Sequence, residues 1–287
     1  MEKLMVVDGS NLLFQMFYGM PARIVNGQGK AIQGTLGFVG ALLKIIRMVQ
    51  PTHVAVLFDG EYESTRQELD PDYKGNRPDY SQIAEEDTPF SQLPDIYAAL
   101  DFMGIRHCET TDCEADDWIS GYAESYGGKM EVVIVSQDSD FFQLINDRVT
   151  VLRYRGKQSV LCDANHIREK LGIEPAQYAA YKALTGDAAD NIRGVDKVGP
   201  KTAAALMGQF GDLDTLLERA ESIRKPSIRS SVLEQGERIR KNYALIKLTG
   251  CERLPFALEE LTYCYDGITT TEVLKAIGLR ESYGEVL

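Results

Sequence analysis

Short apolar segments that end in acidic residues constrain the fold of this chain more than any other feature. Four runs have the length and the β-branched content of buried strands, namely Leu4–Val7, His53–Phe58, Val132–Val135 and Val149–Tyr154. The stretches between them are longer and carry apolar residues at helical spacing, as in residues 34–49 and 93–103. Strands that alternate with helices predict an α/β domain, in which helices cover both faces of a mostly parallel sheet.

The strand signals nearly vanish after about residue 165, and helical patterns then continue to about residue 248. This change predicts an α/β domain over residues 1–168 and a smaller all-α domain over residues 169–287. Within the first domain, residues 70–90 contain three prolines, several acids and few aliphatic side chains. This composition inside a domain favours an inserted loop over a linker between domains.

Acidic residues follow three of the predicted strands directly. Asp8 follows the first and Asp59 the second, while Asp138 and Asp140 follow the run at 132–135. Because the carboxyl ends of parallel strands meet at one edge of the sheet, where ligands bind, these acids are expected at a shared site. An acid after a single strand is usually only part of a turn, but three such strands favour a functional site.

Two further acidic groups lie outside the strands. Glu114, Asp116 and Asp117 precede an apolar helical pattern, where acids also complement the positive end of a helix dipole. Asp187 and Asp190 are three residues apart, so a helical backbone would point both the same way. A solvated surface explains either group equally well when it is considered alone.

The acids are informative as one set, which contains Asp8, Asp59, Glu114, Asp116, Asp117, Asp138, Asp140, Asp187 and Asp190. Two ionised carboxylates about 4–5 Å apart repel by roughly 3–4 kcal/mol at an effective dielectric near 20. If the whole set converges, divalent cations must therefore accompany it. All-oxygen ligands favour Mg²⁺, with Mn²⁺ as a substitute, and such a cluster suits two-metal hydrolysis of phosphodiesters.

The segment from Gly194 to Thr202 contains two glycines followed by Pro200 and Lys201. The proline departs from the spacing of a nucleotide-binding phosphate loop, and no strand precedes the segment. We predict a helix-hairpin-helix at about 190–210, in which Gly194 and Gly199 allow a tight turn and the second helix begins near Lys201. Backbone N–H groups at that helix start would bind a DNA phosphate; an ordinary connection between two helices is the alternative.

The distribution of charge supports a DNA-binding second domain. The chain carries a net charge of −12, which argues against a generally basic nucleic-acid coat protein. Residues 191–247 nevertheless carry +4, which leaves −16 on the remainder. Arg238 and Lys241 indicate a further basic face, although a solvated helix has the same pattern. In the first domain, Lys74 and Arg77 are three residues apart, so one helical turn would present both to a phosphate.

Six motifs in order closely resemble the bacterial and phage 5′-nuclease family, which includes flap endonucleases and the 5′→3′ exonuclease domain of bacterial DNA polymerase I. The resemblance extends to about residue 250, and the joint order of the motifs makes it specific. The motifs are Val7-Asp8-Gly9-Ser10-Asn11, Phe58-Asp59-Gly60, Tyr73-Lys74-Gly75-Asn76-Arg77, Glu114-Ala115-Asp116-Asp117, Asp138-Ser139-Asp140 and Thr185-Gly186-Asp187-Ala188-Ala189-Asp190-Asn191-Ile192.

The resemblance implies a PIN-like nuclease domain with a helical arch at about 70–90, through which a 5′ single strand passes, followed by the helix-hairpin-helix domain. A first Mg²⁺ would be held by Asp8, Asp59, Glu114 and Asp116. A second would be held by Asp138, Asp140, Asp187 and Asp190, with Asp117 in supporting contact. Lys74 and Arg77 would act as catalytic cations at the scissile phosphate. The resemblance also implies a K⁺ ion at the hairpin carbonyls.

DNA contacts are expected at Tyr73 and in the hairpin and basic face, at Gly194, Gly199, Lys201, Thr202, Arg238 and Lys241. Two positions depart from the family. Most relatives have an arginine where Gln15 stands, so one expected phosphate contact is absent, and many have a basic residue where Ser139 stands. No polymerase sequence follows residue 287, so we expect a free-standing member of the family. The complete acid set favours an active enzyme.

These features predict a structure-selective, Mg²⁺-dependent 5′ nuclease that cuts 5′ flaps and ends in branched DNA, including RNA–DNA primer junctions, during replication and repair. We expect a monomer in functional partnership with a DNA polymerase. A DNA-junction binding protein with little catalysis is the alternative, supported by Gln15 and Ser139. A toxin-type ribonuclease has a similar acid-lined sheet, but such proteins are typically shorter and lack the helical second domain.

The sequence also bears on the cellular compartment. The apolar run at the N-terminus breaks at Asp8 after four residues, which is too short for a signal peptide, and no run has membrane-spanning length. The five cysteines are odd in number and contain no C-x-x-C pair. A reduced, cytoplasmic protein without membrane contact is therefore expected.

Overall fold

A six-stranded sheet lies at the centre of the first part of the molecule, in a computed structural model that describes residues 2–60, 65–251 and 253–280. Its strands are β1 (Lys3–Asp8), β2 (His53–Phe58), β3 (Arg106–Glu109), β4 (Glu131–Val135), β5 (Val149–Arg153) and β6 (Val160–Cys162). Their order is β3-β2-β1-β4-β5-β6, and only β6 runs antiparallel to its neighbour. The predicted fold class, a mostly parallel sheet covered by helices, is confirmed.

Helices cover both faces of this sheet because β1 directs alternate side chains to opposite sides. Met5 and Val7 pack against α1 (Gly9–Gly19), α2 (Gln33–Val49) and α4 (Leu93–Phe102). Leu4 and Val6 pack on the other side, where α5 (Ala115–Tyr126) contributes Ile119 and Tyr122. The helix α12 (Thr270–Ala276) also packs on the first side through Val273. All four side chains of β1 named here are fully buried, as a two-sided core requires.

The segment expected to form a helical arch differs from a continuous α-helix. The helix α3 (Thr65–Leu69) ends just before it, and turns occupy residues 71–76. Short 3₁₀ helices then lie at Tyr80–Gln82, Glu85–Asp87 and Pro89–Gln92. Proline lacks a backbone N–H and disfavours helical geometry in the residue before it, which explains why the three prolines of residues 70–90 break the segment into short turns.

The second part of the chain is helical, as predicted. Its helices are α6 (Ala164–Leu171), α7 (Tyr178–Thr185), α8 (Pro200–Phe210), α9 (Leu213–Glu218), α10 (Pro226–Glu234) and α11 (Gly236–Ile246). Between α7 and α8 the chain forms a small antiparallel pair, β7 (Gly186–Asp187) and β8 (Ile192–Arg193). One hydrophobic cluster joins both parts, since Val132 and Ile134 of the sheet belong to it together with Ala183 and Leu206 of the helices.

Hydropathy along the described helices gives no membrane-spanning segment. None of the helices within residues 2–60, 65–251 and 253–280 combines the length and the apolar composition needed to cross a bilayer.

Candidate metal centre and nucleic-acid interface

Asp8 is the last residue of β1 and the N-cap of α1, so its carboxylate lies at the carboxyl edge of the sheet. Its Oδ1 accepts a hydrogen bond from the Asn11 N–H at 2.9 Å, and its Oδ2 accepts one from the Ser136 hydroxyl at 2.8 Å. Burial, followed by the negative charge of Asp59, raises the pKa of Asp8 from 3.8 to about 7 despite these bonds. A desolvated carboxylate beside like charges is a good ligand for a cation.

Asp59 and Asp116 lie at the same edge. Oδ1 of Asp59 accepts a hydrogen bond from the backbone N–H of Ala115 at 3.0 Å, which ties the end of β2 to the first turn of α5. Burial raises the pKa of Asp116 well above 3.8, and the charges of Asp138, Asp8 and Asp59 raise it further, whereas Lys74 opposes the shift. Acids from β1, β2, α5 and the end of β4 therefore form one electrostatically coupled group.

A second acidic group combines both parts of the molecule. Carboxylate oxygens of Asp140, Asp187 and Asp190 all lie within 4.8 Å of one another, which is a separation that one metal ion can bridge. Burial and the charges of Asp138 and Asp187 raise the pKa of Asp140 well above its ordinary value. Oδ1 of Asp140 is buried and has no hydrogen-bond donor among the described residues. An unpaired buried oxygen in an acidic cluster fits a metal ligand.

The β7–β8 hairpin carries Asp187 and Asp190, and two glycines allow the backbone at its two ends to approach closely. Gly186 has a φ of +80°, and a Cβ at Gly194 would lie 2.4 Å from the carbonyl oxygen of Thr185. A side chain at Gly194 is therefore excluded by backbone packing. Gly194 was expected to contact DNA through a tight turn, and the structure gives it this packing role.

Lys74 and Arg77 lie at the boundary between the two acidic groups. Nζ of Lys74 is 2.8 Å from Oε2 of Glu114, and its backbone N–H donates to the Asp190 carbonyl at 3.0 Å. Arg77 reaches Oδ1 of Asp190 at 3.3 Å and is about half exposed. Asn76 and Asn191 add hydrogen bonds between the two segments, so residues 72–77 are fastened to the β7–β8 hairpin.

Sequence reasoning missed Arg66 of α3, a buried cation at the centre of this arrangement. Its guanidinium donates to both carboxylate oxygens of Asp117, at 2.7 and 3.0 Å, and lies 3.2 Å from Oε2 of Glu114. Its Nε donates to the backbone carbonyl of Leu245 in α11. Asp117, which was expected to support a metal ion, thus uses both of its carboxylate oxygens to hold Arg66. The local sequence Thr-Arg-Gln-Glu-Leu is typical of a solvated helix and carries no signal of this contact.

Tyr73 differs from the expectation of a DNA contact. The side chain is 4% exposed and packs with Ala179, Ile192, Leu245 and Ile246, so it anchors the start of the 70–90 segment in the core. Its hydroxyl donates to Glu114 at 3.4 Å. An aromatic ring next to two cations resembles a stacking platform in sequence, and only the tertiary packing identifies it as a core residue.

The predicted hairpin and basic face lie in the helical part. Gly199 is the N-cap of α8, and Lys201 and Thr202 lie in its first turn, with Lys201 exposed. The turn before it includes a hydrogen bond from Val198 N–H to the Val195 carbonyl at 3.1 Å. Two sites of the basic face have protein partners: Arg238 donates to Gln235, and Lys241 pairs with Asp70 at 2.8 Å. Lys182, which the sequence did not single out, pairs with Asp187 at 2.5 Å.

Sequence models of a known family match nearly the whole chain. The 5′-3′ exonuclease N-terminal resolvase-like domain matches residues 3–172, and the 5′-3′ exonuclease C-terminal SAM fold matches residues 173–266. The two matches meet within four residues of the predicted boundary between 168 and 169.

Individual relatives agree with this match. The 5′-3′ exonuclease of Aquifex aeolicus is 30% identical over 249 residues, which are 86% of this chain and 82% of that protein. DNA polymerase I of Rhizobium leguminosarum is 36% identical over 256 residues, which are 86% of this chain and 24% of that longer protein. The fold resembles the phage T5 D15 flap endonuclease in a pseudo-enzyme-product complex with DNA and metal ions. That structure has a TM-score of 0.69 and 22% identity, and the match covers 96% of this chain and 94% of that one. On the strength of both domain matches and the Aquifex relative, the chain belongs to the 5′-3′ exonuclease family.

Proposed function

We propose that this protein is a structure-selective 5′ nuclease that hydrolyses DNA phosphodiesters at 5′ flaps and ends by a two-metal mechanism. The observation that carries the proposal is the convergence of buried, electrostatically coupled carboxylates from the sheet and from the β7–β8 hairpin. Repulsion among such acids disfavours the folded state unless divalent cations bind there. Membership of an exonuclease family supplies the reaction class.

Mg²⁺ is the proposed metal, and Mn²⁺ is expected to substitute for it. The donors are all carboxylate oxygens, and the buried Oδ1 of Asp140 has no donor among the described residues, so the set fits a hard divalent ion. Bound ions at such a site supply an activated water and neutralise charge on the leaving oxygen. We assign one site to Asp8, Asp59, Glu114 and Asp116, and the other to Asp138, Asp140, Asp187 and Asp190.

The chain's own cations orient the substrate in this proposal. Lys74 and Arg77 are paired with Glu114 and Asp190, so their charges lie at the acidic edge before any DNA binds. An incoming phosphate competes with those carboxylates for the two cations and is drawn towards the metal-binding acids. The turn before α8 binds the duplex through its backbone, with a K⁺ ion at its carbonyls, and shape replaces base identity in recognition.

We place the activity in replication and repair, including removal of RNA primers, with the protein as a monomer that works beside a DNA polymerase. The DNA polymerase I relatives support this role, since they carry the matching sequence within one longer chain. The 5′ single strand is proposed to pass the segment at 70–90, whose start is fastened to the acidic hairpin.

Single-turnover cleavage of a 5′-labelled double-flap DNA tests the proposal, with EDTA, Mg²⁺ or Mn²⁺ present. We expect a short released flap only with metal. Asp138→Asn and Asp187→Asn should lower the rate by orders of magnitude while DNA binding survives. Asp147→Asn is the control and should leave the rate unchanged, because Asp147 is exposed at the opposite edge of the sheet. Cleavage by either active-site variant at the wild-type rate would contradict the two-metal assignment. Tight binding of the junction without cleavage in either metal would instead identify a DNA-junction binding protein.

A further inference from the structure

Arg155, which lies just after β5, is a cation beside the acidic edge that the nuclease assignment does not use. The residues that follow β4 and those that end β5 run side by side. Nη2 of Arg153 donates to the Gln137 carbonyl at 2.9 Å, Nε2 of Gln137 donates to the Tyr154 carbonyl at 2.8 Å, and Nε of Arg155 donates to Oε1 of Gln137 at 3.1 Å. Arg155 thus contacts the side chain of Gln137, the residue that directly precedes Asp138 in the chain.

Hydrogen bonds fix this cation relative to the acids. The backbone N–H of Gln137 donates to Oδ1 of Asn11 at 3.0 Å, and Asn11 in turn donates its N–H to Asp8. On the other side, the Arg155 N–H donates to Oγ of Ser159 at 2.9 Å, within a turn that Gly156 closes with a φ of +59°. The backbone of Arg155 is thus held in a short, closed turn at the carboxyl edge of the sheet.

The charge of Arg155 is available for a ligand. The residue is exposed, and none of the carboxylates in residues 2–60, 65–251 and 253–280 forms an ion pair with it. Lys74, Arg77 and Lys182 are instead paired with acids of the site. Arg153 is half-buried, with its guanidinium 5.8 Å from the centre of the Phe142 ring, so it serves to hold the loop.

Gln15 of α1 lies next to the segment that carries Arg155. Gln15 lies on α1, two turns after Asp8, and its Nε2 donates to the same Tyr154 carbonyl that Gln137 contacts, at 2.7 Å. A cationic side chain substituted for Gln15 would thus lie beside the segment that carries Arg155. The chain has an uncharged amide at one of these neighbouring positions and a guanidinium at the other.

We propose that Arg155 is a phosphate-binding residue for the DNA strand on the β5 side of the metal site. The ligand is a backbone phosphodiester adjacent to the scissile one, bound by the terminal N–H groups of the guanidinium. The inference rests on the proposed DNA substrate, but it concerns binding and is independent of catalysis.

Binding of fluorescently labelled double-flap DNA in Ca²⁺ tests the inference, with the DNA checked for integrity after each titration. Release of one counterion predicts that Arg155→Ala weakens binding about eightfold at 0.1 M salt and lowers the slope of log K against log salt by about 0.9. Arg148→Ala is the matched control, because Arg148 is an exposed arginine just before β5, at the opposite end of the strand, and should change neither quantity.

Rescue distinguishes a phosphate contact from a structural role. Arg155→Lys should keep most of the affinity and the full salt slope, and Gln15→Arg should restore both in the Arg155→Ala background, because the two positions are neighbours. Equal affinity and slope for Arg155→Ala and Arg148→Ala would overturn the inference, as would a weakened variant that neither substitution restores. If the variants change DNA binding as expected but the wild-type protein never cleaves DNA in Mg²⁺, the nuclease proposal fails while the role of Arg155 stands.

Discussion

Nζ of Lys74 lies 2.8 Å from Oε2 of Glu114, although the two residues are 40 positions apart in the chain. The pair joins the start of the 70–90 segment to the N-cap of α5 and places a cation directly at the acidic edge. Its position has a kinetic consequence that mutagenesis can measure.

Lys74→Ala should lower the single-turnover cleavage rate about a hundredfold, since it removes a preorganised cation from the site of developing negative charge. Lys3→Ala is the control, because Lys3 pairs with Glu131 at the opposite edge of the sheet and should leave the rate unchanged. Rapid-quench measurement at saturating enzyme separates this effect from weaker binding. An unchanged rate for Lys74→Ala would reduce Lys74 to a structural partner of Glu114.

The raised pKa of Asp8 predicts how stability depends on pH in EDTA. Between its ordinary value of 3.8 and about 7, the folded protein binds the proton more tightly than the unfolded chain does. The free energy of unfolding contributed by this group therefore falls as pH rises through that window. The Asp8→Asn variant should not show this decline. The Tm of the variant minus the Tm of the wild type should therefore increase with pH.

Metal should reverse the same effect. Mg²⁺ should raise the Tm of the wild-type protein more at pH 7.5 than at pH 5, because protons compete with the ion for the carboxylates. Asp147→Asn, at an exposed turn, should respond to Mg²⁺ as the wild type does. A Tm shift that is equal at both pH values would disconnect the raised pKa of Asp8 from metal binding.

Gly194 and Gly199, the two glycines of the predicted helix-hairpin-helix, differ in how closely they are packed, so alanine substitutions at them can be compared. Gly194→Ala should lower the free energy of unfolding by about 1–3 kcal/mol, since its Cβ would lie 2.4 Å from backbone atoms of Thr185. Gly199→Ala should cost only about 0.5 kcal/mol, because nothing lies within 4 Å of a Cβ there and only the preference for glycine over alanine at an N-cap is lost. Urea unfolding of both variants measures the difference, and equal losses would contradict the packing role of Gly194.

Lys201→Ala should weaken binding of plain duplex DNA and lower the salt slope by about 0.9, as expected for the loss of one phosphate contact. Lys44→Ala provides the comparison, because Lys44 is an exposed lysine on α2 of the first part. Titrations from low to moderate salt give both slopes. Identical slopes for the two variants would reject the first turn of α8 as a duplex contact.

The sequence predicted the strands whose side chains are almost fully buried. Strands β1, β2, β4 and β5 are apolar and largely buried, so they were predicted nearly to their ends. The edge strand β3 is Arg-His-Cys-Glu and half exposed, so it has neither an aliphatic run nor β-branched residues to reveal it. The three-residue strand β6 is too short to carry a pattern. The helical region predicted after residue 165 is divided at Gly172, whose φ of +70° ends α6.

The site was predictable where acids follow strands. Asp8, Asp59, Asp138 and Asp140 are placed by the rule that parallel strands bring their carboxyl ends to one edge. The placement of Asp187 and Asp190 depended on the family resemblance, since their hairpin requires a close approach of Gly186 and Gly194 that no strand signal predicts. The buried Arg66 and the half-buried Lys182 were not predictable, because a cation's burial depends on partners up to 179 positions away.

The contact between Arg66 and the Leu245 carbonyl has a consequence for synthesis of the protein. A growing chain that has released only the sheet already contains Asp8, Asp59, Asp116 and Asp138, but it lacks Asp187, Asp190 and the carbonyl that holds Arg66 in place. The acids of the set are all synthesised once residue 190 has been added, but the contact that holds the Arg66 guanidinium is made only after α11 has been synthesised. The proposed nuclease activity is therefore expected only after the helical part has been synthesised and has folded against the sheet.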